Sequence, residues 1–190
     1  SGTTPDAIRN DERIRILVLA NIHAGEVAGK EAALALARDL AAGRHDDWLS
    51  DAIVIIAPIY NADGNERIGL RNRRGQFGPL AGMGQRANAR GLDLNRDNMK
   101  LDAAEARALA GLLNEYDPHV LLDLHTTNGT VHAYHLTYAP PLHPDTDDAI
   151  VAELRERWLP AVTDRVRSET GWEFFHYGNI PGTWGMVGEQ

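Results

Sequence analysis

Short apolar runs alternate along this chain with longer segments in which alanine and leucine recur at helical spacing. The runs at 13–20 (RIRILVLA), 52–59 (AIVIIAPI) and 119–124 (HVLLDL) are short and rich in branched residues, as buried strands are. A further strand is predicted at 131–138 (VHAYHLTY), where apolar and polar residues alternate until two prolines follow. The pattern therefore predicts a sheet built from segments spread along the chain.

The segments between these runs predict helices. They cover 26–42, which ends before Gly43, then 102–116, which ends before Asp117-Pro118, and 145–169, where Pro160 bends or interrupts the helix. Strands that alternate with helices indicate an α/β fold with helices on both faces of the sheet.

Composition limits the classes of protein that the chain can represent. With 190 residues, of which 43% are hydrophobic, residues 1–190 can bury the core of a single domain. Apolar stretches all fall short of the roughly 18 residues that a membrane helix needs. The net charge is −8 and the sequence contains no run of basic residues. Both features argue against nucleic-acid and anionic-membrane partners.

Cysteine is absent from the sequence, and this excludes disulfides and thiolate metal sites. Histidine and carboxylate side chains are then the remaining strong zinc ligands. The first residues (SGTTPD) are polar and contain no signal peptide, so we expect that the chain lacks one or is a processed form.

Two histidines follow predicted strands that lie about a hundred residues apart. His23 comes after the run at 13–20, and His125 directly follows the run at 119–124. Ligands collect beyond the carboxyl ends of strands in open α/β sheets, so both imidazoles are expected in one crevice. Glu26 lies one helical turn after His23 and can share its face. Two imidazoles and one carboxylate leave the fourth position of zinc open for water, as in catalytic sites.

Simpler interpretations of these residues stay open. Glu26 could favour the positive N-terminus of the helix at 26–42, and His23 could be an ordinary loop residue. Asp123 lies on the same side of its strand as His125, so it either orients that imidazole or satisfies backbone donors at the strand end. The other histidines, at positions 45, 119, 132, 135, 143 and 176, have no spacing typical of ligands. The glycine-rich segment at 61–91 is long and irregular, which is typical of functional loops.

Further motifs connect this pattern to a known family. H-x-x-E begins at His23, N-A-D-G occupies 61–64, R-x-N-x-x-G-x-D-L-N-R occupies 86–96, and D-L-H occupies 123–125. In this order the motifs resemble the zinc carboxypeptidases of the carboxypeptidase A type, whose ligand set of two histidines and one glutamate is well known. The resemblance implies a three-layer α/β fold with a mixed, mostly parallel sheet. It also implies one zinc ion per chain, held by His23, Glu26 and His125.

The resemblance also assigns roles in catalysis. Asn95 and Arg96 would bind the free C-terminal carboxylate of a peptide, for which a guanidinium is suited because it pairs bidentately and stays charged. Arg86 would stabilise the oxyanion that develops when water adds to the scissile carbonyl. Three arginines of the glycine-rich segment are rivals for the role of Arg86: Arg71, Arg73 and Arg74. The predicted activity is the zinc-dependent removal of C-terminal residues from peptides.

The general base is not defined by these motifs. In the family it is a glutamate on a late strand, near a tyrosine on a mobile loop. Glu189 and Glu173 are the candidates in this chain, and Tyr177 falls where the tyrosine is expected. We expect a domain that is incomplete at its C-terminal end, with a base that is one of these glutamates or lies outside the chain.

Two alternative functions share these features. Deacylases of N-acyl amino acids, of the succinylglutamate desuccinylase and aspartoacylase kind, resemble the same D-L-N-R and D-L-H-T motifs. The motif N-P-D-G is the peptidase form, but Ala62 replaces its proline here, which weakens the distinction between a peptidase and a deacylase. A zinc-binding or peptide-binding domain without turnover would keep the ligands and lack the base. The resemblance favours a periplasmic or secreted location, and the oligomeric state is left open.

Overall fold

The computed structural model describes residues 3–127, 129 and 133–177. The chain divides into two compact units, which fall within residues 1–130 and 131–190. No helix in the described residues has both the length and the apolar character needed to cross a membrane.

A three-stranded parallel sheet forms the centre of the first unit. Its strands are β1 (Ile14–Ala20), β2 (Ala52–Ala57) and β3 (Val120–Leu124), in the order β2-β1-β3. The central strand β1 pairs with β2 and β3 in parallel register. The strands predicted at 13–20, 52–59 and 119–124 are therefore confirmed, with small differences at their ends.

The described residues of the first unit also form the helices α1 (Pro5–Arg9), α2 (Val27–Ala41), α3 (Asp46–Asp51), α4 (Ala62–Glu66) and α5 (Ala104–Tyr116). Helices α2 and α5 confirm the predictions at 26–42 and 102–116. The other three were not predicted, because five or six residues are too few to show helical periodicity.

Both faces of β1 are covered. On one face Val18 and Ala20 pack with Ala33 of helix α2. Leu17 and Leu19 point to the opposite face, because side chains alternate along a strand, and they are fully buried as well. This arrangement explains the continuous apolar run and confirms the predicted α/β class with a parallel sheet.

The second unit contains a two-stranded parallel sheet and a helical segment. Strand β4 (Leu136–Tyr138) pairs with β5 (Phe174–His176). The strand predicted at 131–138 is shorter than expected among the described residues, where it begins at residue 136. Helices α6 (Asp148–Ala152) and α7 (Leu159–Thr170) flank a π-helical stretch, Glu153–Trp158.

The predicted interruption at 160 has a local cause. Proline lacks the backbone N–H that would bond the carbonyl four residues earlier, and its ring clashes with that carbonyl. The π-helical stretch Glu153–Trp158, which ends two residues before Pro160, contains the carbonyl concerned, that of Glu156. The helix expected at 145–169 therefore forms as three consecutive segments, beginning at Asp148.

Candidate metal centre

The turn after β1 brings His23 to the end of the sheet. Asn21 adopts the left-handed conformation, with φ of 67°, which asparagine tolerates better than most residues. Its side-chain amide donates to the carbonyl oxygen of Ala24 at 3.1 Å, and the Ala24 amide donates to Gln85. The chain therefore turns immediately after the strand, and His23 is 3% exposed.

Asn61 fixes the backbone on two sides of the centre. Its amide nitrogen donates to the carbonyl oxygens of Ile22, at 3.2 Å, and Arg86, at 3.1 Å. Its oxygen accepts from the Gly64 amide and so caps helix α4. Asn61 is fully buried, so the N-A-D-G motif joins the segments that carry His23 and Arg86. The sequence does not predict this role, because the partners of Asn61 lie 39 and 25 positions away along the chain.

Glycine is required where these segments meet. A Cβ atom at Gly84 would lie 2.7 Å from the carbonyl oxygen of Gly64 and 2.8 Å from that of Ala24. Both distances are shorter than any ordinary contact, so a larger residue would force backbone apart directly beside His23.

The three predicted ligands lie together in the first unit. The potential ligand atoms of His23, Glu26 and His125 are all within 4.8 Å of one another. Glu26 Oε1 lies 2.9 Å from Nδ1 of His23, and Glu26 Oε2 lies 2.9 Å from Nδ1 of His125. The two Nδ1 atoms thus face one carboxylate from both sides.

The outer nitrogens of both histidines face other carboxylates. His23 Nε2 lies 3.3 Å from Asp93, and His125 Nε2 lies 3.1 Å from Asp123. A carboxylate at this position holds the proton on Nε2 and leaves the lone pair on Nδ1 free for a metal. Asp123 therefore lies where the orienting role needs it.

Asp93, which lies in the motif at 86–96, holds its own loop together and also faces His23. It caps the short 3₁₀ turn Leu94–Arg96 by accepting from the Asn95 amide. Its contact with His23 joins residues 70 positions apart, a pairing that spacing along the sequence does not reveal. The signal available was the presence of an aspartate in both D-L-N-R and D-L-H, each beside a candidate site residue.

The donor set fits a zinc ion. Glu26 is a carboxylate that is only 3% exposed, and such a group needs a positive or hydrogen-bonding environment. Arg86 Nη1 lies 3.3 Å from His23 Nδ1, and the lone pair that could accept from this guanidinium is the one that would bind a metal. Two such nitrogens and one carboxylate are ligands that zinc accepts in catalytic sites.

The pKa values of Glu26 and His125 are shifted in opposite directions. Burial alone would raise the pKa of the Glu26 carboxyl, but the hydrogen bonds from His125, His23 and the Thr126 amide outweigh it and hold the pKa below its usual range. The hydrogen bonds to Asp123 and then Glu26 raise the pKa of His125 to about 9. The centre therefore favours an ionised carboxylate.

Arg86 lies directly beside the candidate ligands. Its Nε and Nη2 atoms donate to Asp93 Oδ2 at 2.9 and 2.8 Å, which leaves Nη1 directed at His23. One oxygen of Asp93 thus holds Arg86 while the other faces His23. Arg73 is the rival that also reaches the centre, because its Nη2 donates to Glu26 Oε1 at 2.9 Å. Arg71 and Arg74 are exposed.

Asn95 and Arg96 follow Asp93 on the 3₁₀ turn. Arg96 is exposed and its Nη1 donates to the Asn95 carbonyl oxygen at 2.7 Å. Within the described residues Arg96 takes part in no ion pair, so its guanidinium is available to an anion from solution. The structure thus places these two residues on a segment anchored to His23 through Asp93.

The candidates for the general base lie in the second unit or outside the described residues. Glu173 accepts from Arg167, with Nη2 at 2.8 Å, and that hydrogen bond lowers the pKa of its carboxyl. Tyr177 donates its backbone amide to the carbonyl oxygen of Tyr138. Glu189, like His132, lies outside the described residues.

Comparison with known proteins agrees with the motifs and the fold. Carboxypeptidase 2 of Trichophyton tonsurans is 28% identical over 120 residues, which are 61% of this chain and 19% of that protein. Carboxypeptidase 2 of Trichophyton rubrum is 27% identical over the same length. The chain spans about a fifth of the length of these curated relatives.

Solved structures share the fold. A metallo-carboxypeptidase from Burkholderia cenocepacia matches with a TM-score of 0.60 at 18% identity, over 90% of this chain and 42% of its own. A structure from Shewanella denitrificans matches with a TM-score of 0.64 at 19% identity, over 95% of this chain and 43% of its own. A sequence profile for zinc carboxypeptidases matches residues 3–185, and the chain therefore belongs to the zinc carboxypeptidase family.

Proposed function

We propose that this chain carries the metal centre of a zinc-dependent hydrolase that removes C-terminal residues from peptides. One observation supports the proposal most directly. His23 and His125 both turn Nδ1 toward the buried carboxylate of Glu26, while an aspartate faces the Nε2 atom of each ring. This is the arrangement that three ligands of a catalytic zinc require.

His23, Glu26 and His125 would hold the zinc ion, which when bound lowers the pKa of a coordinated water and polarises a carbonyl group. Arg86 would donate Nη1 to the oxygen of the scissile carbonyl as negative charge develops there. Asp93 holds the guanidinium of Arg86 in place before the substrate arrives, so little reorganisation is needed.

Asn95 and Arg96 would bind the free carboxylate at the end of the peptide. Arg96 keeps its donors available at the surface, and a guanidinium can pair with both carboxylate oxygens. Binding the terminus here would place the last peptide bond near the candidate ligands, because the same turn contacts His23 through Asp93.

Proton transfer to the leaving amine needs a carboxylate whose pKa is near the working pH. The ion pair with Arg167 lowers the pKa of Glu173, which opposes that role. Glu189 and groups outside this chain stay as candidates. A positioned acid–base group of this kind contributes about 10² to 10⁴ in rate.

A pair of peptides that differ only at the terminus tests the proposed substrate. A free C-terminal acid should bind more tightly than the amide by about 1 kcal/mol, the upper end for an ion pair with an exposed side chain. Arg96→Gln should remove most of this difference, whereas Arg90→Gln should keep it. Arg90 is the matched control because it lies in the same motif and donates to the Asp102 carbonyl oxygen instead.

Equal affinity for the acid and the amide would contradict the assignment of Arg96. Hydrolysis of N-acyl amino acids without cleavage of peptides would identify a deacylase instead. Zinc binding with neither reaction, in a longer chain that includes a base, would identify a binding domain.

A further inference from the structure

One loop of the first unit exposes an unusual amount of apolar surface. We call residues 69–83 the Phe77 loop. Phe77 and Leu80 are fully exposed, and Leu70 is 75% exposed. Single exposed apolar side chains are common, but a group of large ones in one loop marks a surface that contacts a partner or ligand.

The base of the Phe77 loop is fixed. Gly69 and Met83 exchange backbone hydrogen bonds of 3.0 and 3.4 Å, which join the two ends. Asn72 donates its side-chain amide to the Met83 carbonyl oxygen at 2.9 Å. Gly82, with φ of 96°, packs its Cα against the backbone of Gly69, where a Cβ would lie 2.5 Å from the carbonyl carbon. The exposed tip is thus carried on a closed loop with a defined position.

The same loop is attached to the candidate metal centre at two points. Arg73 donates to Glu26 Oε1 at 2.9 Å, and Gln76 donates to the Thr126 hydroxyl at 3.0 Å. Thr126 follows the ligand His125 directly. Phe77 is the next residue after Gln76, and consecutive Cα atoms lie about 3.8 Å apart, so Phe77 must lie at the rim of the centre.

The loop and the Asn95–Arg96 turn contact different members of the centre. The turn approaches the outer nitrogen of His23 through Asp93, whereas the loop approaches Glu26 and the residue after His125. A peptide whose terminal carboxylate binds at Asn95 and Arg96 would therefore lead its preceding residues away from that turn and toward the loop.

We propose that Phe77 and Leu80 contact an apolar side chain of the peptide immediately before its last residue, and so select peptides with an apolar penultimate residue. The inference rests on the proposed function, since it takes a C-terminal peptide as the ligand. Such a contact should favour an apolar over a polar penultimate residue by about tenfold, the lower end of the range for hydrophobic subsites.

Two peptides with the same last residue and either leucine or serine before it test the proposal. Binding to the zinc-loaded chain is measured by fluorescence anisotropy, and kcat/KM by release of the last residue. The wild type should prefer the leucine peptide about tenfold. Phe77→Ser and Leu80→Ser should each reduce this preference toward one. Because both side chains are fully exposed, the unfolding midpoint should not change.

Ile150→Ser serves as the matched control, since Ile150 is a half-exposed apolar residue of helix α6 in the second unit. It should keep the wild-type preference. Equal binding of both peptides by the wild type, or an unchanged preference in both loop variants, would overturn the inference and leave the proposed function standing. If zinc is bound but neither peptide binds or is cleaved, the proposed function fails and the inference fails with it.

Discussion

Each candidate histidine ligand uses its two ring nitrogens for different purposes. Nδ1 faces Glu26, and Nε2 faces an aspartate that is not one of the three candidate ligands. The aspartates hold the rings in one orientation and keep the proton on Nε2, so a metal ion that replaces the protons between Nδ1 and Glu26 would meet both lone pairs. This pairing explains why aspartate stands in both D-L-N-R and D-L-H.

Asp123→Asn should weaken zinc binding by about 10- to 100-fold, because a neutral amide oxygen accepts the Nε2 proton of His125 more weakly than a carboxylate does. Titration calorimetry with a competing chelator measures the affinity. Asp51→Asn changes an exposed carboxylate at the end of helix α3 and should leave the affinity unchanged. Equal affinities for the two variants would show that Asp123 only satisfies its strand end.

Packing between α2 and β3 sets the position of His125. Gly29 of α2 lies against Leu124, the last residue of β3, and a Cβ at Gly29 would lie 2.7 Å from that of Leu124. Helix α2 starts immediately after Glu26, so the same contact connects two of the candidate ligands. The elements thus position the centre through one close helix–strand approach.

Gly29→Ala should destabilise the fold by about 1 to 3 kcal/mol, the usual range for overpacking, and should also weaken zinc binding. Gly111→Ala in helix α5 is the control, because no atom lies within 4 Å of the added Cβ. It should stabilise the fold by about 0.5 to 1 kcal/mol through the higher helix propensity of alanine. Urea unfolding measures both, and a Gly29→Ala variant as stable as the wild type would refute the proposed packing.

Asp97 joins the D-L-N-R segment to helix α5. The backbone hydrogen bond from Ala103, and then that from Asp102, lower the pKa of the Asp97 carboxyl despite burial. A lowered pKa in the folded state means that the contribution to stability is complete above the usual pKa near 4 and is lost as the pH falls through the lowered value.

Asp97→Asn should therefore lower the unfolding midpoint at pH 7. The difference in midpoint between the variant and the wild type should be smaller at pH 3. Thermal unfolding at the two pH values measures this difference. Asp102→Asn, which changes an exposed carboxylate next to the same helix, should show no comparable narrowing. A difference that stays constant between the two pH values would argue against an ionised Asp97 cap.

For the molecule as a whole, apolar periodicity was sufficient to predict the strands, the longer helices and the ends at which His23 and His125 lie. It could not predict Asn61 or Asp93 as neighbours of the centre, and the sequence motifs left Arg73 as one of three rivals to Arg86. Their partners lie 7 to 70 positions away, and polar pairing across such distances depends on how loops close in space. The π-helical stretch Glu153–Trp158 was likewise not predicted, since six residues are too few to show a period different from that of an α-helix.

The proposed function depends above all on His23, Glu26 and His125 holding one metal ion. Elemental analysis of the purified chain after dialysis against trace zinc measures this directly. We predict close to one zinc per chain for the wild type and for His143→Ala, whose side chain is 73% exposed, and loss of zinc in His23→Ala and in His125→Ala. Unchanged zinc content in both of the latter variants would contradict the proposed function.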